Sequence, residues 1–144
     1  MAFLKIVSLI SLLTLPFALS ETGNAHGRIP LQCLILGLPH LIATIAPQAR
    51  RSASIGIAIG SSAVLFVGLT FNALLSLIRL FPTEGSSWPW LAGALAHAMM
   101  FGAAIAASRA WKAPEGEVPI YGWVGCCYSI ISIALVQVVA KIHF

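Results

Sequence analysis

The chain predicts an all-α fold: a polytopic transmembrane bundle of four helices, preceded by a signal peptide or a fifth, signal-anchor helix. Three observations carry this. Apolar stretches at 29–47, 53–80, 88–111 and 119–142 approach or exceed the roughly twenty residues that a helix needs to cross a bilayer core. No acidic residue falls inside any stretch away from its ends, and the only arginines that intrude, Arg79 and Arg109, lie near ends. Of 144 residues, 59% are hydrophobic and 8% charged, far from the balance of a water-soluble domain. A soluble bundle would also need a polar face on each helix, and Ala53 to Ile78 offers none. The 21–144 segment is therefore one four-helix domain.

Residues 1–20 open with Lys5, then an apolar run from Ile6 to Leu15, Pro16, and the sequence Ala18-Leu19-Ser20 before Glu21. Small residues at Ala18 and Ser20 fit the minus-three and minus-one positions of a signal-peptidase site. The alternative is an uncleaved first helix. Both place Glu21 on the non-cytoplasmic side.

From there the chain is expected to enter at Ile29-Pro30, where a proline in the first turn costs no hydrogen bond. It emerges at Pro47, before the short Arg50-Arg51 joint, and returns through 53–80. A turn at 83–87 leads into 88–111, and Lys112 to Glu117 joins that stretch to 119–142. Lys5, Arg50, Arg51, Arg109 and Lys112 then face the cytoplasm, against Arg28, Arg79 and Lys141 outside. This is the direction of the positive-inside bias. Trp88 and Trp90 fall at one interface, and Trp111, Tyr121 and Trp123 at the other, where amphipathic rings anchor. The C-terminus is expected on the non-cytoplasmic side.

The net charge of +4 is spread over helix ends, which is no footprint for nucleic acid. Cys33, Cys126 and Cys127 all lie in apolar stretches and are odd in number, which argues against a disulfide framework and for small packing residues. Cys126-Cys127 resembles the vicinal pair of membrane mercury carriers, which implies soft-metal transfer. The chain lacks a second pair for a relay. Its size and helix count resemble the membrane enzymes of eicosanoid and glutathione metabolism, but their Arg/Asn/Glu-rich helix motif is missing. No embedded carboxylate of small multidrug exporters, C-x-x-C pair, Walker loop or Ser/His/Asp arrangement is found.

In lipid, helices associate through close packing of small residues. Gly56 and Gly60 form a GxxxG pair, and Ala94, Ala98, Gly102, Ala106 and Ala110 form a stripe at four-residue spacing. These predict close approach of the 53–80 and 88–111 helices, or association with a second copy or another membrane subunit.

Polar groups at bilayer depth are costly and are candidates for function. At the helical rise, His40 lies about 16 Å from Ile29, His97 about 14 Å from Trp88, and Asn72 about 12 Å from Leu80. Three helices thus contribute one layer, with Gln137 shallower. Converging imidazoles could ligate haem iron axially or hold a transition metal. Asn72 could orient one ring, while Gly37 and Gly93, each about one turn from a histidine, leave room for a flat ligand. The plain structural alternative is that each histidine hydrogen-bonds a backbone carbonyl or a neighbouring helix. The leading expectation is a non-catalytic accessory or interaction subunit in the lipid bilayer. The alternatives are a haem- or metal-binding redox protein using His40 and His97, and a small-solute permease lined by Asn72, Gln137 and serines.

Overall fold

The computed structural model describes residues 1–20, 29–46, 50–78, 87–111 and 116–141. They form five helices: α1 (Ala2–Ser20), α2 (Ile29–Ile45), α3 (Arg51–Leu77), α4 (Trp88–Trp111) and α5 (Glu117–Lys141). No strand occurs among them. The expected positions of Glu21, Arg28, Pro47, Arg79, Lys112 and the turn at 83–86 lie outside the described residues.

Four helices are long and apolar enough to cross a membrane: α1, α3, α4 and the Glu117–Val138 portion of α5. The set differs in one member from the stretches read in the sequence. Helix α2 has 17 residues, or about 26 Å at the helical rise, which is the short end of a membrane crossing. Helix α1, read from sequence as a leader or an anchor, packs inside the bundle against α2 and α4. Its Leu4, Val7, Leu15 and Ala18 are almost fully buried. Pro16 is inside it and does not end it.

Prolines in first turns start three of the helices at Pro30, Pro89 and Pro119, where no N–H partner is lost. Gly116 turns the chain into α5 with φ of 86°, a left-handed conformation that costs glycine little. Its carbonyl accepts the Ile120 N–H.

Two buried apolar clusters fix the topology. One gathers Leu4 and Val7 of α1, Ala43 of α2, Ile55 and Ala58 of α3, Met100 and Ala104 of α4, and Val118 of α5. The other gathers Leu15 and Leu19, Leu36, Leu65 and Leu69, Trp90 and Ala94, and Val136. The first therefore holds the beginnings of α1, α3 and α5 and the later parts of α2 and α4. The second holds the opposite ends. The helices alternate in direction, up and down, as short connections require.

The small residues act differently from expectation. Gly56 and Gly60 are used, but against α5 rather than α4. A Cβ on Gly56 would sit 2.5 Å from the Val118 carbonyl oxygen, and one on Gly60 would collide with the Gly122 carbonyl. Gly125 reciprocates, since its Cβ would lie 2.6 Å from the Ile57 carbonyl oxygen. Glycine on both sides lets these backbones touch, which substitutes for the hydrophobic drive that lipid does not supply. On α4, Ala94 is buried and Ala98 half-buried, whereas Gly102, Ala106 and Ala110 are exposed. Four residues advance an α-helix about 40° past a full turn, so a strict four-residue stripe winds off the packed face. The buried line instead runs through Gly93, Ala96, His97, Met100 and Ala103.

Trp88 and Trp123 project outward, 76% and 72% exposed, from the starts of α4 and α5, at opposite ends of the bundle. Trp90 is not an interface anchor; it is buried in the second apolar cluster. Trp111 carries the Arg51 guanidinium 5.8 Å from its ring centroid, an arrangement that ties the start of α3 to the end of α4 by cation–π attraction.

Candidate functional site: a histidine pair in a buried polar layer

Between the two apolar clusters every helix contributes polar side chains. Ser8 and Ser11 come from α1, His40 from α2, Ser61 and Ser62 from α3, His97 from α4 and Ser129 from α5; none is more than 1% exposed. Each lies along its helix between residues of one cluster and residues of the other. The layer is thus sealed by hydrocarbon on both sides.

Its centre is the contact of the two histidines. His40 Nε2 lies 2.9 Å from His97 Nε2, with ring centroids 4.9 Å apart and planes at 78°. His97 Nδ1 lies 2.7 Å from the Gly93 carbonyl oxygen one turn earlier on α4. A carbonyl only accepts, so His97 Nδ1 carries a hydrogen. In a neutral imidazole its Nε2 is then an acceptor, and His40 Nε2–H donates to it. This chain of donors ends on backbone. His40 Nδ1, left as the second acceptor of the pair, makes no hydrogen bond. The hydroxyls of Ser8, Ser61 and Ser129 are also without partners.

Local sequence aims these groups. Pro39 sits inside α2 immediately before His40 and has no N–H for the carbonyl of Ile35, four residues back. Tyr128 of α5 supplies the missing donor, its hydroxyl 2.7 Å from that carbonyl oxygen. On the other side of α4, the Ser11 hydroxyl lies 3.0 Å from the Ala96 carbonyl oxygen and 2.9 Å from that of Val7 in its own helix. Ser54 bonds to the Ala43 carbonyl oxygen at 3.3 Å, joining α3 to α2. Polar tethers from α5, α1 and α3 therefore hold α2 and α4, the two helices that carry the histidines.

Of the candidates read in the sequence, the structure brings His40 and His97 together and leaves Asn72 apart. Asn72 is exposed and donates through Nδ2 to the Gly68 carbonyl oxygen in its own helix, at 2.9 Å. It touches neither imidazole. On α3 the layer is held by Ser61 and Ser62, whereas Asn72 lies between Leu69 and Ala73 of the second cluster, about 15 Å farther along the helix, so it does not share the depth of the histidines. Gly37 and Gly93 do not frame a flat ligand. A Cβ on Gly37 would strike Leu12 of α1, and one on Gly93 would lie 3.2 Å from Leu69 Cδ1; leucines take that room.

The nitrogen separation also decides what the pair can hold as it stands. With metal–nitrogen bonds of about 2.0–2.1 Å, two nitrogens on one tetrahedral ion stand about 3.3 Å apart, and across an axial pair about 4 Å. At 2.9 Å they share a hydrogen atom instead. No third His, Cys, Asp or Glu completes a metal-binding group among the described residues. The vicinal thiols diverge: Cys126 Sγ lies 3.5 Å from the Gly60 carbonyl oxygen, while Cys127 is exposed.

The sequence offers serines only as a general lining beside Asn72 and Gln137, and does not place Ser8, Ser11, Ser61 and Ser62 in one layer with the histidines. No protein family, curated protein or solved structure matches this chain.

Proposed function

We propose that this membrane protein is a non-catalytic accessory or interaction subunit, with His40 and His97 serving as an internal brace between α2 and α4. The observation that carries this is the closed hydrogen-bond chain His40–His97–Gly93. Three of the four ring nitrogens are spent on each other and on backbone, and the fourth, His40 Nδ1, is buried. Association with other helices has a place to occur. Gly102, Ala106 and Ala110 stand exposed on α4, and a Cβ on Gly102 would meet nothing within 4 Å.

Two measurements on protein purified from membranes test the reading. The sample should be colourless and free of stoichiometric iron, copper or zinc. Gly102→Cys, in a background with Cys33, Cys126 and Cys127 replaced, should form an oxidative cross-link in the membrane, either to a second copy or to one heavier partner. A Soret band or one bound metal per chain, lost in His40→Ala, together with an uncross-linked monomer, would overturn it.

A second reading, the small-solute permease, is favoured by one observation: Asn72 and Gln137 line the same cavity. It predicts that Asn72→Leu abolishes flux of an uncharged polar solute into vesicles while the protein stays folded. Unchanged flux removes it.

A further inference from the structure

A cavity of about 170 Å³ lies at the end of the bundle where α1, α3 and α5 finish and α4 begins, and all five helices line it. None of the layer's polar side chains reaches it; Leu36, Leu65 and Leu69 form its apolar lining. We propose that this cavity is a binding site for a neutral, phenol-type ring, meaning a six-membered aromatic ring that bears a hydroxyl group.

Four observations converge on that ligand. An engineered apolar cavity of about 150 Å³ in another protein holds benzene, so the volume suits one six-membered ring. Trp90, only 7% exposed, supplies an indole wall against which an aromatic ring packs edge-on or offset. No charged residue lines the site, which selects a neutral molecule. The polar groups are two carboxamides, Asn72 from α3 and Gln137 from α5. Asn72 spends one Nδ2 hydrogen on Gly68, and its Oδ1 remains to accept a hydrogen bond. A ligand hydroxyl can donate that bond; an acyl chain cannot. Mostly apolar walls with a few convergent polar groups between helices are the usual character of a small-molecule site.

Gly68 makes the site testable without unfolding the protein. It lines the cavity, and a Cβ there would meet only Ile133 Cδ1, at 4.0 Å. Gly68→Leu therefore fills the cavity and improves helix propensity. The experiment uses the full chain in detergent with Trp88, Trp111 and Trp123 changed to Phe, so that Trp90 is the reporter. Titration with 4-bromophenol should quench Trp90 saturably. Asn72→Leu should weaken binding about tenfold, the loss of one hydrogen bond. Gly68→Leu should abolish saturable quenching at an unchanged or raised melting temperature. Non-saturable quenching, or quenching that survives Gly68→Leu, would overturn the proposal. So would equal binding of bromobenzene, or displacement of the probe by brominated acyl-chain lipid with no dependence on Asn72; those results would assign the cavity to lipid tails.

Discussion

Pro39 and Tyr128 complement each other across two helices: the proline removes the donor for the Ile35 carbonyl, and the tyrosine hydroxyl restores one at 2.7 Å. A helix interior normally loses stability to proline because a carbonyl goes unsatisfied. In lipid no water can take its place, so another helix must. The residue that follows Pro39 is His40, so the tether from Tyr128 holds the turn of α2 from which that imidazole projects.

Tyr128→Phe is accordingly expected to lower stability by about 0.5–1.5 kcal/mol, the range measured for hydrogen bonds between membrane helices. Pro39→Ala restores the missing N–H and should make Tyr128→Phe nearly neutral. A double-mutant cycle on unfolding in detergent checks this. Additive losses would show that the two residues are independent.

The histidine pair predicts an asymmetry between single and double replacements. His40→Leu or His97→Leu strands the remaining ring in a buried layer and should cost about 1–3 kcal/mol. Replacing both removes the orphaned group along with its partner, so the double variant should lose less than the sum of the singles. Unfolding midpoints of the four proteins decide it, and strict additivity would speak against a direct bond.

Glycine use separates packing from spacing. Gly60→Ala puts a methyl group onto the Gly122 carbonyl, and the backbones of α3 and α5 must part. The expected loss is at least 2 kcal/mol, by analogy with overpacked cores. Gly102→Ala places its methyl group in open space and should raise stability by up to about 1 kcal/mol through helix propensity. Equal effects at the two sites, measured by thermal unfolding, would contradict the assigned interface.

The packing of α1 bears on the fate of residues 1–20. With Leu4, Val7, Leu15 and Ala18 buried and Ser11 tethered to Ala96, removal of this helix would expose one side of α4 and of α2. The protein isolated from membranes is therefore expected to retain Met1–Ser20. Intact mass spectrometry reads this directly. A chain starting at Glu21 would mean that the mature bundle has four helices.

Much of the architecture was legible in the sequence, because long apolar runs without charges permit few structures. The depth of His40 and of His97 was legible too, since counting residues along a helix measures depth. Azimuth was not. Nor was the depth of Asn72. Helix α3 has 27 residues, more than a bilayer core needs, so counting from its outer end puts Asn72 level with the histidines. Ser61 and Ser62 hold that level, and Asn72 lies about 15 Å beyond. Only packing shows depth and inward face together. The pairing of glycines was hidden for the same reason: Gly56 and Gly60 announce a close approach without saying that Gly122 and Gly125 answer it. Pro39 shows in the sequence that the Ile35 carbonyl is freed. That Tyr128, 93 positions away, satisfies it depends on how five helices meet.

The shared hydrogen between the two imidazoles is measured most directly by ¹⁵N-histidine NMR of the protein in lipid bilayers. The structure predicts His97 as the Nδ1–H tautomer and His40 as the Nε2–H tautomer, with a nitrogen–nitrogen coupling across the Nε2–H···Nε2 bond. That coupling should vanish when either ring is replaced. Two rings without coupling, or shifts characteristic of metal-bound nitrogens, would contradict the account.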